Sequence, residues 1–368
     1  MVRAPRRTAR KEVSVQVLRV LPEARSAHFE RSRPSPERVT IYVSGYGDLD
    51  RSSVWPSAHR VSLMWAWLWA FKRRWNVVQL PEPLWLRALP LTLSVGLAVR
   101  VSDLVCRRKT RIVTYAMENN DPSALLRGIP GGSRGVAFGF VRHLSGWIFD
   151  RVALASRGAS DCYVAVRLLP EQGGVELFND LPQECLGEEI GTKLRRVTFL
   201  GALEPRKGVL DLLAAWTESG LGRAGWELAM AGAGPLADDV ARAAASDSSI
   251  VPLGLIGRPE MHELMISTSI VVLPSRRDGR WREQIGLSIV EGLAHGCHIV
   301  ATPDTGLREW LELHGHGVLP DEFTVADLST ALCDAARNQL NPVEVRASLP
   351  PLDGRVQAED WLCRAVSE

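Results

Sequence analysis

The chain lacks any Cys-x-x-Cys pair: its six cysteines are scattered through 368 residues, with no run of histidines beside them. That excludes a zinc ribbon and a disulfide framework, and a reducing cytoplasm fits best. A cleavable secretory signal is not expected, because the N-terminus is charged and has no apolar core. The longest apolar stretch, Leu84 to Cys106, is interrupted by Arg87, Pro90, Arg100 and Asp103. It reads as a core or monotopic helix, not a transmembrane span. The dinucleotide fingerprint is missing too, since Gly45-Tyr46-Gly47 has no third glycine and opens no helix. It is a turn where backbone can approach a ligand.

What is present is length for two ordinary domains, with 46% hydrophobic and 23% charged residues. The net charge of +2 hides an asymmetry: residues 1–190 hold 27 Lys and Arg against 18 Asp and Glu, residues 191–368 hold 17 against 24. The basic half, at +9, suits an anionic membrane or a negatively charged partner, and the acidic half, at −7, argues against nucleic acid. Residues 1–37, dense in arginine and proline, read as a basic mobile tail with a short strand or helix around Val13 to Val20. Arg38 to Ser44 is the first convincing core strand. Ser62 to Trp75 reads as a helix whose Trp65, Trp67, Trp69 and Trp75 neighbour Lys72, Arg73 and Arg74. Such interleaving suits a membrane interface, and equally a helix packed on a sheet with its cationic end in water. Asn76 to Leu80, Ile112 to Tyr115 and Ser160 to Val166 read as further strands, and residues 171–193 as a linker.

The second half alternates strand and helix, which calls for a parallel sheet covered on both faces, with ligands at the carboxyl ends of its strands. Ser269 to Pro274 is a short apolar strand, a charged loop runs from Arg276 to Glu283, and from Gly286 the pattern turns helical. Strand, glycine and helix start offer the free amides of Gly286, Leu287 and Ser288 to an anion such as a diphosphate. Glu283 and Glu291 stand on either side of that turn with seven residues between them. Helical geometry puts Glu291 at the rim of the apolar face, on the side of Ser288. The plainer reading is a solvated glutamate on a surface helix.

Glu283 to Glu291, followed by the small-residue helix, Gly296 and the strand His298 to Ala301, resembles the family-four retaining glycosyltransferases (glycosyl transferases group 1). The likeness is strong over residues 195–320 and looser before. It implies an α/β chain of the GT-B fold, two Rossmann-like domains with parallel sheets facing each other across a cleft. The acceptor-side domain would span 38–190, the nucleotide-sugar domain 191–350, and the helix 353–368 would cross back to the first. It further implies transfer of a sugar from a nucleotide-diphosphate sugar to an acceptor hydroxyl with retention, in polysaccharide, glycolipid or other glycoconjugate synthesis. Glu283 and Lys207 would be the catalytic pair, with Glu283 on the sugar hydroxyls, Glu291 on the ribose, and Arg206, Lys207, Gly286, Leu287, Ser288 and Gly254 at the donor. No metal and no further cofactor is expected, so Asp48-Leu49-Asp50 is read as a chance pair of carboxylates. The acceptor, a glycan, lipid-linked or small molecule, would lie near Gly45, Gly47 and Glu118.

Two departures stand out. Ala202 occupies the place of the family's first diphosphate-binding arginine, which Arg206 would have to replace, and Tyr115-Ala116-Met117 lacks the acceptor-side histidine. They keep two rivals open: a GT-B nucleotide-sugar epimerase and a degenerate, non-catalytic scaffold at the membrane. The expected location is cytoplasmic, with a peripheral seat on the inner face of an anionic membrane.

Overall fold

The computed structural model describes residues 15–47, 49–72, 74–120, 131–170, 174–183, 191–279 and 281–364. Two parallel sheets organise them. The first contains β1 (Val17–Ala24), β2 (Arg38–Gly45), β3 (Ala58–Arg60), β4 (Val77–Gln79), β5 (Arg111–Ala116), β6 (Arg151–Leu154) and β7 (Gly174–Leu177), in the order β3-β2-β1-β4-β5-β6-β7. The second contains β8 (Arg196–Leu200), β9 (Glu227–Ala231), β10 (Ile250–Gly254), β11 (Ile270–Leu273), β12 (His298–Ala301) and β13 (Gly317–Val318), in the order β10-β9-β8-β11-β12-β13. Each sheet therefore reverses its winding once, between β1 and β4 and between β8 and β11.

Side chains alternate across a strand, so one sheet needs two covers. In the first sheet Leu18, Val78, Ile112 and Val152 face a core that includes Leu91, Val95 and Val99 of the helix Leu89–Cys106. Their neighbours Val17, Val77, Val113 and Ala153 face Ala358 and Leu362 of the last helix, Gly354–Cys363. The inner strands of the second sheet, β8, β9, β11 and β12, are buried on both sides, as in β11, where all four residues are buried. That is why they read as unbroken apolar runs.

Three readings need correction. The basic tail does not extend to residue 37, because β1 lies inside the sheet, paired with β2 and β4. Two of its arginines are held by distant acids: Arg19 meets Glu359 at 3.3 Å, beside Arg38 of β2 at 2.7 Å, and Arg31 meets Asp180 at 2.7 Å and Asp353 at 2.8 Å. Residues 160–166 are not a strand. They belong to the helix Arg157–Ala165, capped by the Ser156 hydroxyl on the Ala159 amide, and Ala159, Cys162 and Tyr163 form its buried stripe. Lastly, part of the segment read as a linker forms the edge strand β7, in register with β6.

Candidate active site

The two strands flanking the reversal in the second sheet each send a loop from their carboxyl ends. After β8 the chain runs through Pro205–Lys207 and Gly208 into the helix Val209–Ser219. After β11 it runs through Pro274 and Ser275 to Glu283. The loops touch: the Arg276 amide donates to the Arg206 carbonyl at 2.8 Å. Gly208, at φ +70°, is needed there, since a Cβ would lie 2.0 Å from the Pro274 oxygen.

This contact brings together two residues far apart in sequence. Lys207 Nζ lies 2.6 Å from Glu283 Oε2, which also accepts from the Ser275 hydroxyl at 2.8 Å. The side chains are 16% and 10% exposed, so the pair is largely desolvated. Glu283 Oε1 has no hydrogen-bond partner among the described residues. Trp281 forms a platform alongside, with the Arg206 guanidinium 4.2 Å and Lys207 Nζ 4.9 Å from its ring centre. Arg206 is thus brought beside Lys207, in the loop where Ala202 leaves a cation missing, though it also pairs with Glu204.

Three residues after Glu283, Gly286 (φ +87°) opens the helix Leu287–Ala294, and no side chain caps it. A Cβ on Gly286 would lie 2.7 Å from Leu273 Cδ2, so the strand end and helix start are packed at glycine distance. One turn on, Glu291 pairs with Arg258 at 2.7 Å, and Arg258 also reaches Glu30 of the first domain at 2.9 Å. Glu291 is therefore linked through Arg258 to the first domain, and its carboxylate is already engaged. Gly254 (φ +64°) ends β10, and its carbonyl accepts the Gly232 amide at 2.7 Å. Gly232 in turn packs against the end of β8, where a Cβ would lie 1.8 Å from the Gly201 oxygen.

The first domain meets the Glu283 loop through the carboxyl end of β5. Asn119 Nδ2 donates to the carbonyls of Glu283, Gln284 and Asp304 at 3.3, 3.4 and 2.9 Å, and Arg282 Nη1 donates to the Asn119 carbonyl at 2.6 Å. Gln284 Nε2 reaches Glu118 Oε2 at 3.3 Å, so Glu118 joins the site from the first domain. Asp304 holds Arg277 at 2.6 Å and Arg282 at 2.9 Å, bracing the same loop. Gly45 ends β2, where a Cβ would lie 2.8 Å from Leu49 Cδ2, and a Cβ on Gly47 would touch nothing within 4 Å. Asp48 lies outside the described residues. Asp50 accepts from the amide and hydroxyl of Ser52, a local turn cap. Among the described residues no group of three or more His, Cys, Asp or Glu could hold a metal ion.

Sequence reasoning missed Ser275, Trp281, Asn119 and Arg258. Trp281 alone left a trace, as an aromatic residue in an otherwise charged loop.

Residues 195–340, which contain the second-domain part of this site, match the family model of glycosyl transferases group 1. No curated protein matches the chain. Among solved structures, Anabaena Alr3699/HepE in complex with UDP and glucose superposes with a TM-score of 0.59 at 10% identity, covering 94% of this chain and 95% of that one. WaaG, a glycosyltransferase involved in lipopolysaccharide biosynthesis, gives 0.58 at 14%, covering 94% and 99%. The lipopolysaccharide outer core galactosyltransferase WaaB gives 0.59 at 10%, covering 90% and 94%. The fold is GT-B, two parallel α/β domains joined across a cleft.

Proposed function

We propose that the protein is a glycosyltransferase that moves a sugar from a nucleoside diphosphate sugar to an acceptor hydroxyl, with retention of configuration. The observation that carries this is the Lys207–Glu283 pair at the reversal of the second sheet, three residues from an uncapped helix start. Open parallel sheets bind ligands at such reversals. Lys207, Arg206 and the amides of Gly286, Leu287 and Ser288 supply positive charge where a diphosphate leaves. Glu283, with one oxygen held by Lys207 and Ser275, keeps the other for sugar hydroxyls. Glu291 takes the ribose after exchanging it for Arg258. The charge of the leaving group is met by these donors, so transfer requires no divalent cation.

The experiment is a screen of nucleotide sugars by thermal stabilisation, followed by transfer with the best donor and anomeric analysis of the product. A ligand at 100 times its Kd adds roughly 2.7 kcal/mol. Stabilisation by no nucleotide sugar would refute the reading. An epimer released without acceptor would favour the epimerase. EDTA should leave the rate unchanged, and loss restored by manganese would revive Asp48 and Asp50 as a metal site.

A second element concerns place. The helices Leu63–Lys72, Leu89–Cys106 and Gly131–Ile148 expose Met64, Trp65, Leu104, Val105, Phe140 and Trp147. Their one acidic residue, Asp103, is engaged by Thr110 and Arg100, while Arg107, Lys109 and Arg142 are exposed. An apolar face with a cationic border fits the cytoplasmic surface of an anionic membrane. The protein should sediment with anionic vesicles and stay in the supernatant with neutral ones. Equal recovery in both supernatants would exclude the seat.

A further inference from the structure

Trp281 stands in a loop that is braced on both sides of it. The amides of Asp278 and Trp281 each donate to the other's carbonyl, at 3.1 and 2.7 Å, and Gly279 between them takes φ +58°, the left-handed conformation that a tight turn asks for. On one side Arg276 is tied to Asp211 at 2.6 Å and to the Phe323 carbonyl at 3.1 Å. On the other, Arg282 reaches the Asn119 carbonyl at 2.6 Å. The loop spends these arginines on holding itself in place. What it presents to the neighbouring loop is the indole, with the Arg206 guanidinium 4.2 Å and Lys207 Nζ 4.9 Å from the ring centre.

The ring is not there for packing or for a polar bond. Trp281 belongs to none of the apolar cores of the described residues, and its indole N–H has no hydrogen-bond partner among them. Its face is the part in use. Arg206 and Lys207 each already have one carboxylate, Glu204 and Glu283. A further carboxylate would orient them at the expense of their charge, whereas an aromatic face attracts a cation through its quadrupole and adds no formal charge. Neighbouring cations repel, and each long side chain has rotamer freedom to lose when it is fixed. The ring offsets both effects before any ligand arrives, which is preorganisation of a pair of cations for an anion.

We infer that Trp281 is a positioning residue of the diphosphate site: its ring holds Arg206 and Lys207 oriented and still charged for two linked phosphates, without touching the ligand. The inference deepens the transferase reading and rests on it only for the nucleoside, since a bare diphosphate is enough to test it.

The test is calorimetry on the whole chain with inorganic pyrophosphate, UDP, ADP and GDP, with melting temperatures alongside. Trp281→Leu should weaken pyrophosphate and UDP by the same factor, about threefold to thirtyfold, at an unchanged melting temperature. Trp281→Phe, which keeps a ring face and loses the N–H, should recover most of that loss. In an Arg206→Ala background, Trp281→Leu should cost less than it does in the wild type, because only Lys207 is left to position. Four results would overturn the inference: a wild type blind to pyrophosphate, Trp281→Leu binding it like wild type, Trp281→Phe as poor as Trp281→Leu, or the full loss repeated in the Arg206→Ala background. A loss for UDP with pyrophosphate unchanged would overturn it too, by placing the ring on the nucleoside. The expected pattern with pyrophosphate in a protein that ignores all three nucleotides would sustain the positioning role and sink the transferase reading.

Discussion

Replacing Lys207 by Met separates what the Lys207–Glu283 pair does for stability from what it does for a ligand. In the wild type the ammonium lies 2.6 Å from a carboxylate that is only 10% exposed and has one other hydrogen-bond partner, Ser275. Without the lysine, Glu283 is left charged in a site that water reaches poorly. Breaking a buried pair costs about 3–5 kcal/mol. With 16% of the lysine side chain in contact with solvent, roughly 2–3 kcal/mol is the fitting figure here. At about 2–4 °C per kcal/mol for a domain of this size, the melting temperature should fall by roughly 4–12 °C. The double variant Lys207→Met, Glu283→Gln removes both charges and keeps an amide oxygen for Ser275, so most of that loss should return.

Ligand binding should behave otherwise. If Lys207 meets the diphosphate, both variants lose a charge-assisted contact worth roughly 1.5–3 kcal/mol, a tenfold to hundredfold drop in UDP affinity. Urea melts and calorimetry with UDP on wild type, single and double variants give both readings. A single variant as stable as wild type would show that the carboxylate is not desolvated. A double variant that binds UDP like wild type would remove Lys207 from the donor site.

Glu291→Gln should lower UDP affinity by about tenfold to a hundredfold. It should cost under roughly 1 kcal/mol of stability, because its partner Arg258 is 37% exposed, and Glu309→Gln, on an exposed helix residue, should change neither. Equal UDP affinity in both variants removes Glu291 from the site. Gly208→Ala should shift the urea midpoint far more than Gly225→Ala: both have positive φ, but a Cβ at 208 meets the Pro274 oxygen and one at 225 meets nothing within 4 Å. The control should cost about 1–2 kcal/mol, the left-handed penalty alone, and equal shifts would contradict the loop contact. For Glu82 the sign follows from a folded-state pKa raised from 4.5 to about 7. Its contribution is complete below pH 4.5 and lost as pH rises through 7, so wild type should lose roughly 3 kcal/mol relative to Glu82→Gln across that window. A difference between the two melts that stays flat from pH 4.5 to 8 would refute the burial of the charge.

The second domain was legible because its inner strands are buried on both faces and its loops carry their chemistry locally. Lys207-Gly208 and the Glu283 to Glu291 spacing are each contained within one strand-to-helix connection, so no long-range knowledge was needed to find them. The first domain was harder for a reason visible at Arg19, Arg31 and Arg38. A count of local charge makes residues 1–37 a solvated tail, yet Arg19 and Arg31 lie against Glu359, Asp180 and Asp353, and Arg38, which opens β2, joins Arg19 on Glu359. A buried cation looks like a surface one until its partner is known, and here the partners arrive at the other end of the chain. The helix at 157–165 shows a related confusion: Tyr163, Val164 and Val166 have strand propensity, but burial falls on Ala159, Cys162 and Tyr163 at helical spacing.

The same reasoning sorts the candidate site. Asn119 and Arg258 owe their position to contacts made across domains, whereas Ser275 meets Glu283 inside one loop, as a serine with no pattern in the sequence to single it out. Glu291 joins the two cases. Its spacing from Glu283 leaves open a surface glutamate, and burial alone does not decide, since the side chain is only 17% exposed in a pair with Arg258. What places it is Glu30, a first-domain carboxylate that reaches the same guanidinium at 2.9 Å. Glu291 is thus one cation away from the opposite domain. A nucleotide that takes Glu291 must also release Arg258, so donor binding and the contact with Glu30 draw on the same charge.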